Sequence, residues 1–191
     1  MLGSSLDGVM TSNSFLYRQT PNIITSFRIA IVPLVLWLIL AQWDTWMGRL
    51  AALVLLVLAA STDGIDGAIA RRRNLVTNLG KILDPIADKA LLSGALIALS
   101  IQDAIPWVAT LIILVRELGI TVYRLVIVRR RVIAASGGGK FKTVMQIIAV
   151  SMVIAPFEIL GPWYFVLTQI VLWFTVALTV VTGIAYLRPK K

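Results

Sequence analysis

Four of the chain's nine acidic residues fall within 26 positions: Asp63, Asp66, Asp84 and Asp88. Asp63 and Asp66 are three apart and Asp84 and Asp88 four apart, so on α-helices each pair shares one face. Two such helix ends, joined by a loop over 72–79, would aim four carboxylates at one point. Negative charges that close repel strongly in a partly dry site and call for cations. The chain has no His and no Cys, which removes imidazole bases, thiolate nucleophiles, disulfides and the usual zinc ligands. Ligands that are all oxygen select hard ions: Mg²⁺, Mn²⁺ or Ca²⁺. Four carboxylates can hold two such ions, an arrangement that stabilises phosphoryl or pyrophosphate chemistry. Asp63, Asp66 and Asp84 suit the main ligand positions, with Asp88 partly free. The plainer alternative is a hydrated loop in which these aspartates pair with Arg71, Arg72, Arg73, Lys81 and Lys89. Gly64, Gly67 and Gly80 have two readings as well: close helix packing, or bare backbone against a nucleotide or phosphate.

A second group is cationic. Arg116 and Arg124 are eight apart, roughly on one helix face, and Arg116 lies well inside an apolar run where an unpaired charge is costly. Glu117 is adjacent in sequence and is expected to point elsewhere. Lys140 and Lys142 follow the small-residue stretch 136–139, read as a flexible turn whose amides can approach a phosphate. A pocket of Arg116, Arg124, Lys140 and Lys142 would suit a phosphate dianion. Against this stands the simpler role of lipid-head or topology charge, which also covers Arg129, Arg130, Arg131, Lys190 and Lys191.

The elements that must position these groups follow from composition. Of 191 residues, 59% are apolar and 14% charged, against roughly 25% charged in soluble domains; mean hydropathy is +0.90. A soluble domain of this size cannot bury so much apolar surface, so the expected class is an all-α integral membrane protein. Six apolar runs approach the ~20 residues a span needs, at about 23–41, 50–70, 81–101, 105–128, 141–155 and 163–187, with short polar breaks. Residues 1–20 form a polar appendage, juxtamembrane in position, without a signal-peptide pattern; its first ten residues are compatible with a vector remnant. Residues 21–191 form one six-helix domain.

The net charge of +9 is distributed unevenly. One set of breaks holds Arg18, Arg28, Arg71, Arg72, Arg73, Arg129, Arg130, Arg131, Lys140, Lys142, Arg188, Lys190 and Lys191. The other holds Asp44, Arg49, Asp103 and Glu158. By the positive-inside rule both termini and the aspartates face the cytoplasm. Trp43, Trp46, Trp107 and Trp163 form an aromatic belt at the outer ends. Nucleic-acid binding is disfavoured, since no aromatic–basic interleaving is present. A cation channel would need acidic residues through the full depth of the membrane, whereas the aspartates sit at one end.

The stretch 63–88 reads D-G-I-D-G-A-I-A-R, eight residues, then G-K-I-L-D-P-I-A-D. It resembles, at every fixed position, the motif D-x₂-D-G-x₂-A-R-x₈-G-x₃-D-x₃-D of the CDP-alcohol phosphotransferases. The resemblance implies transfer of a phosphatidyl group from a CDP-linked donor to an alcohol, with release of CMP. Asp63, Asp66 and Asp84 would ligate two Mg²⁺ or Mn²⁺ ions, and Asp88 would complete the metal site and act as general base. Gly67, Ala70 and Arg71 would line the CDP pocket, with Gly80 near it, Thr62 in reach, and Asn22 adding a nucleotide contact beside its capping role.

The segment 21–28 (P-N-I-I-T-S-F-R), the cluster L-D-P-I-A-D-K at 83–89, Arg116-Glu117, and G-K-F-K-T-V-M-Q at 139–146 are similar to those of the phosphatidylglycerophosphate synthases. They imply CDP-diacylglycerol as donor and glycerol 3-phosphate as acceptor, its phosphate held by Arg116, Arg124, Lys140 and Lys142. The alternatives within the family are inositol phosphate, serine or phosphatidylglycerol as acceptor. The resemblance further implies a homodimer in a bacterial inner membrane, with its site open to the cytoplasm and to the inner leaflet.

Overall fold

The computed structural model describes residues 30–73, 78–127 and 137–187, with side chains over 30–61, 89–123, 141–157 and 159–185. Among the described residues all regular structure is helical. The helices are α1 (Ala30–Ala41), α2 (Trp46–Arg73), α3 (Asn78–Ile101), α4 (Trp107–Ile127), α5 (Gly137–Ile154) and α6 (Pro162–Leu187), with a 3₁₀ turn at Glu158–Leu160. The six apolar runs thus each fall on a helix. The segment 1–29, which includes the whole N-terminal appendage and the start of the first span, lies outside the described residues.

Three boundaries differ from expectation. The α2 helix continues to Arg73 and α3 opens at Asn78, so only 74–77 lie between them rather than a loop over 72–79. The glycines 137–139 form the first turn of α5 instead of a turn before it. Glycine is costly in a helix interior but cheap near the N-terminus, where the first amides have no intrahelical acceptor to lose. At α6, Pro162 occupies the first helical position, where its missing N–H costs nothing.

Cross-helix hydrogen bonds gather one set of helix ends. Gln102 at the end of α3 donates from Nε2 to the carbonyls of Ile39 (3.0 Å) and Leu40 (2.8 Å) at the end of α1. Arg49 at the start of α2 donates to the carbonyls of Ile154 (3.0 Å) and Ala155 (2.9 Å) at the end of α5. Its guanidinium also lies 4.6 Å from the centre of the Trp43 ring. Arg49 is therefore a cap on the negative end of a neighbouring helix dipole, not the loose outer-loop charge the sequence suggests. Tyr164 Oη of α6 donates to Met152 O of α5 at 2.8 Å. Trp43, Trp46, Trp107 and Trp163 all fall at this same end of the bundle. Gly48 makes the α1–α2 turn possible, since a Cβ there would stand 2.4 Å from Gln42 Cβ.

The core is filled by Ile39, Leu56, Leu99, Ile113, Ile154 and Leu172, with small and hydroxylated residues among them: Ala52, Ala95, Ala98, Ala109, Ser100, Thr110, Thr175 and Thr179 are all buried. Ser100 and Thr110 join α3 to α4 through a 2.7 Å hydroxyl pair. Other large apolar side chains, such as Leu58, Val115, Val122, Phe165, Ile170 and Trp173, face outward. So much bulky apolar surface on the outside is what a lipid solvent favours. Among the described residues, α6 has an apolar stretch (Pro162–Ala185) long enough by itself to cross a bilayer.

Candidate active site

The aspartates lie on two consecutive, continuous helices: Asp63 and Asp66 on α2, Asp84 and Asp88 on α3. The bonds that gather the α1 and α3 ends beside the start of α2 make α2 and α3 antiparallel. Asp66 is seven residues from the end of α2 and Asp84 six from the start of α3, while Asp63 and Asp88 are each ten away. At 1.5 Å rise per residue the inner pair sits about 10 Å from the helix ends and the outer pair about 15 Å. The backbone thus brings the two i, i+3 and i, i+4 pairs to matched depth at the end opposite the tryptophans. The donor set, four carboxylates with no nitrogen or sulfur ligand, fits two hard divalent ions. Thr62, Gly67, Ala70 and Arg71 share α2, and Gly80 shares α3. The side chains of 62–88 lie outside the described residues, as does Asn22. Arg124 and Lys140 fall on α4 and α5, their side chains likewise outside.

The other two cations, Arg116 and Lys142, meet inside the bundle. The Glu117 carboxylate accepts a hydrogen bond from Arg116 Nη1 at 3.0 Å and another from Lys142 Nζ, a shorter contact, through the same Oε1 atom. Glu117 therefore does not point away from Arg116. Adjacent Cβ atoms on a helix diverge, but a guanidinium on its long stem can bend back to its neighbour. Lys142, which the charge pattern assigns to an inner break, is 4% exposed. Lys89, next to Asp88 on α3, donates from Nζ to the Glu117 carbonyl at 3.3 Å. Cations from α3, α4 and α5 thus converge on one residue of α4, one position along α3 from Asp88.

The α6 helix closes this group. Thr182 Oγ1 accepts from Arg116 Nη2 at 3.2 Å, and Gly183 lets α6 approach, since a Cβ there would stand 3.0 Å from Arg116 Cγ. The surface that Gly183 packs against thus carries Arg116, a functional candidate. Among the described residues, Arg116 Nε, Gln146 Nε2 and Thr179 Oγ1 are buried without a hydrogen-bond partner. Gln146 is one turn beyond Lys142 on α5, and the Thr179 carbonyl accepts from Thr182 at 3.1 Å. Buried polar atoms are ordinarily satisfied; Ser151 Oγ, nearer the other end of α5, is a fourth without a partner. Lys89 and Glu117 lie in segments the resemblance picks out, but their grouping with Thr182 is not legible in sequence, because the contacts join residues as far as 66 positions apart.

Comparison with known proteins gives this arrangement a family. Residues 18–181 match the family model described as CDP-alcohol phosphatidyltransferase. A Bacillus subtilis (strain 168) protein named CDP-diacylglycerol–glycerol-3-phosphate 3-phosphatidyltransferase is 41% identical over 181 residues, covering 87% of this chain and 92% of its own. A Mycobacterium tuberculosis (strain H37Rv) protein named probable phosphatidylglycerophosphate synthase is 41% identical over 166 residues, covering 86% and 78%. A Streptomyces coelicolor protein named cardiolipin synthase (CMP-forming) reaches the same 41% over only 103 residues, covering 51% and 46%. With aspartates at matched depth on adjacent helices and a family match running through nearly the whole helical bundle, the chain belongs to the CDP-alcohol phosphatidyltransferases.

Proposed function

We propose that this chain transfers the phosphatidyl group of CDP-diacylglycerol to glycerol 3-phosphate, giving phosphatidylglycerophosphate and CMP. The observation that carries the choice of acceptor is the partly buried Arg116–Glu117–Lys142 group beside the aspartate-bearing part of α3. Two cations on one carboxylate leave positive charge over, and a phosphate monoester is a fitting partner for it. The names carried by the Bacillus and Mycobacterium relatives support the same donor and acceptor.

Asp63, Asp66, Asp84 and Asp88 would hold two divalent ions, Mg²⁺ or Mn²⁺, which when bound offset the charge of the donor pyrophosphate. Thr62, Gly67, Ala70, Arg71, Gly80 and Asn22 lie on the nucleotide side. Arg116 and Lys142, with Arg124 and Lys140, orient the acceptor by its phosphate so that its primary hydroxyl meets Asp88. Asp88 takes the hydroxyl proton as general base. The hydroxyl oxygen bonds to the lipid-bearing phosphorus, the bond from that phosphorus to CMP breaks, and CMP leaves with the electron pair. The helices span the inner membrane of a bacterium six times with both termini cytoplasmic. The acyl chains remain in the inner leaflet, and the outward apolar faces serve lipid and a second copy of the chain.

An acceptor panel tests the choice. With CDP-diacylglycerol as donor, CMP release is expected with glycerol 3-phosphate and not with inositol phosphate, serine or phosphatidylglycerol. Release with one of those and none with glycerol 3-phosphate would reassign the acceptor.

A further inference from the structure

We infer that Glu117 and Thr182 are positioning residues for the acceptor, setting the two cations that receive its phosphate; this rests on the proposed acceptor role of Arg116 and Lys142. Arg116 and Lys142 stand on different helices, and neither side chain is oriented by its own backbone. Glu117 ties them together, since its single Oε1 accepts from both. Thr182 fixes the other end of the guanidinium through Nη2, and Gly183 lets α6 come close enough to do so. Of the five guanidinium N–H groups, Nη1 and Nη2 each use one here and each keeps a second for an incoming oxygen, while Nε is buried and without a partner among the described residues. A flexible lysine and a flexible arginine would each lose rotamer freedom on gripping a phosphate. Here Glu117 and Thr182 have already imposed that order, and because two cations share one carboxylate the group retains positive charge for the ligand.

Positioning of this kind affects acceptor capture and leaves the chemistry at phosphorus to other residues. Initial rates of CMP release by the full chain, varying each substrate, should show this. Glu117→Gln is expected to raise KM for glycerol 3-phosphate about tenfold, with kcat and the KM for CDP-diacylglycerol within about threefold of wild type. Thr182→Val is nearly isosteric and serves if Glu117→Gln does not fold; it is expected to raise the same KM about three- to fivefold. An unchanged or lower acceptor KM in a folded variant, or a loss confined to kcat, would overturn the inference. Arg116→Ala and Lys142→Ala separate it from the reading beneath. If they raise the acceptor KM while Glu117→Gln and Thr182→Val do not, only the positioning role fails. If they leave it unchanged, the acceptor pocket itself is wrong.

Discussion

At the scale of single residues, the chemistry divides between a carboxylate group legible in one contiguous stretch and a cation group assembled across helices. The placement of the aspartates is legible because i, i+3 and i, i+4 spacing puts each pair on one face of its helix, and the two helices are consecutive. Arg116 and Lys142 are legible as costly charges in apolar surroundings, but their meeting at Glu117 is not, since it depends on how α4 and α5 both pack on α3 and α6. Asp88 carries the sharpest expectation. Asp88→Asn keeps the size of the side chain and removes the base, so CMP release should fall by about 10²–10⁴-fold while the protein remains folded by circular dichroism. Activity within tenfold of wild type would remove Asp88 from the role of base.

Among the helices, apolar runs of nearly twenty residues predict the existence and order of the elements well, because in lipid the backbone has few options besides helix. Their ends are less legible. Glycines at 137–139 read as a breaker, yet they open α5, where an N-terminal turn tolerates them. Arg49 reads as a loop charge, yet it caps the α5 C-terminus through the carbonyls of Ile154 and Ala155 and stacks near Trp43. Charge-assisted hydrogen bonds of this type contribute about 1.5–3 kcal/mol. Arg49→Ala should therefore lower the thermal midpoint of the detergent-solubilised protein by several degrees, with activity retained below the transition because Arg49 lies at the end opposite the aspartates. A midpoint equal to wild type would show that the helix ends are held by other contacts.

For the molecule as a whole, bulky apolar residues facing outward and aspartates at one end of the bundle suit the proposed enzyme, whose donor would arrive sideways from the leaflet and whose acceptor from water. The two proposed halves of the site would meet on α3, where Asp88 and Lys89 are neighbours: one belongs to the carboxylate group and the other reaches Glu117. The central claim is that the carboxylates work through divalent ions on an acceptor held by its phosphate. The most direct measurement is glycerol-3-phosphate-dependent CMP release by the purified protein, before EDTA, after EDTA, and after Mg²⁺ or Mn²⁺ is restored. Release should disappear with EDTA and return with the metal. Undiminished release in EDTA would contradict the assignment of the four aspartates.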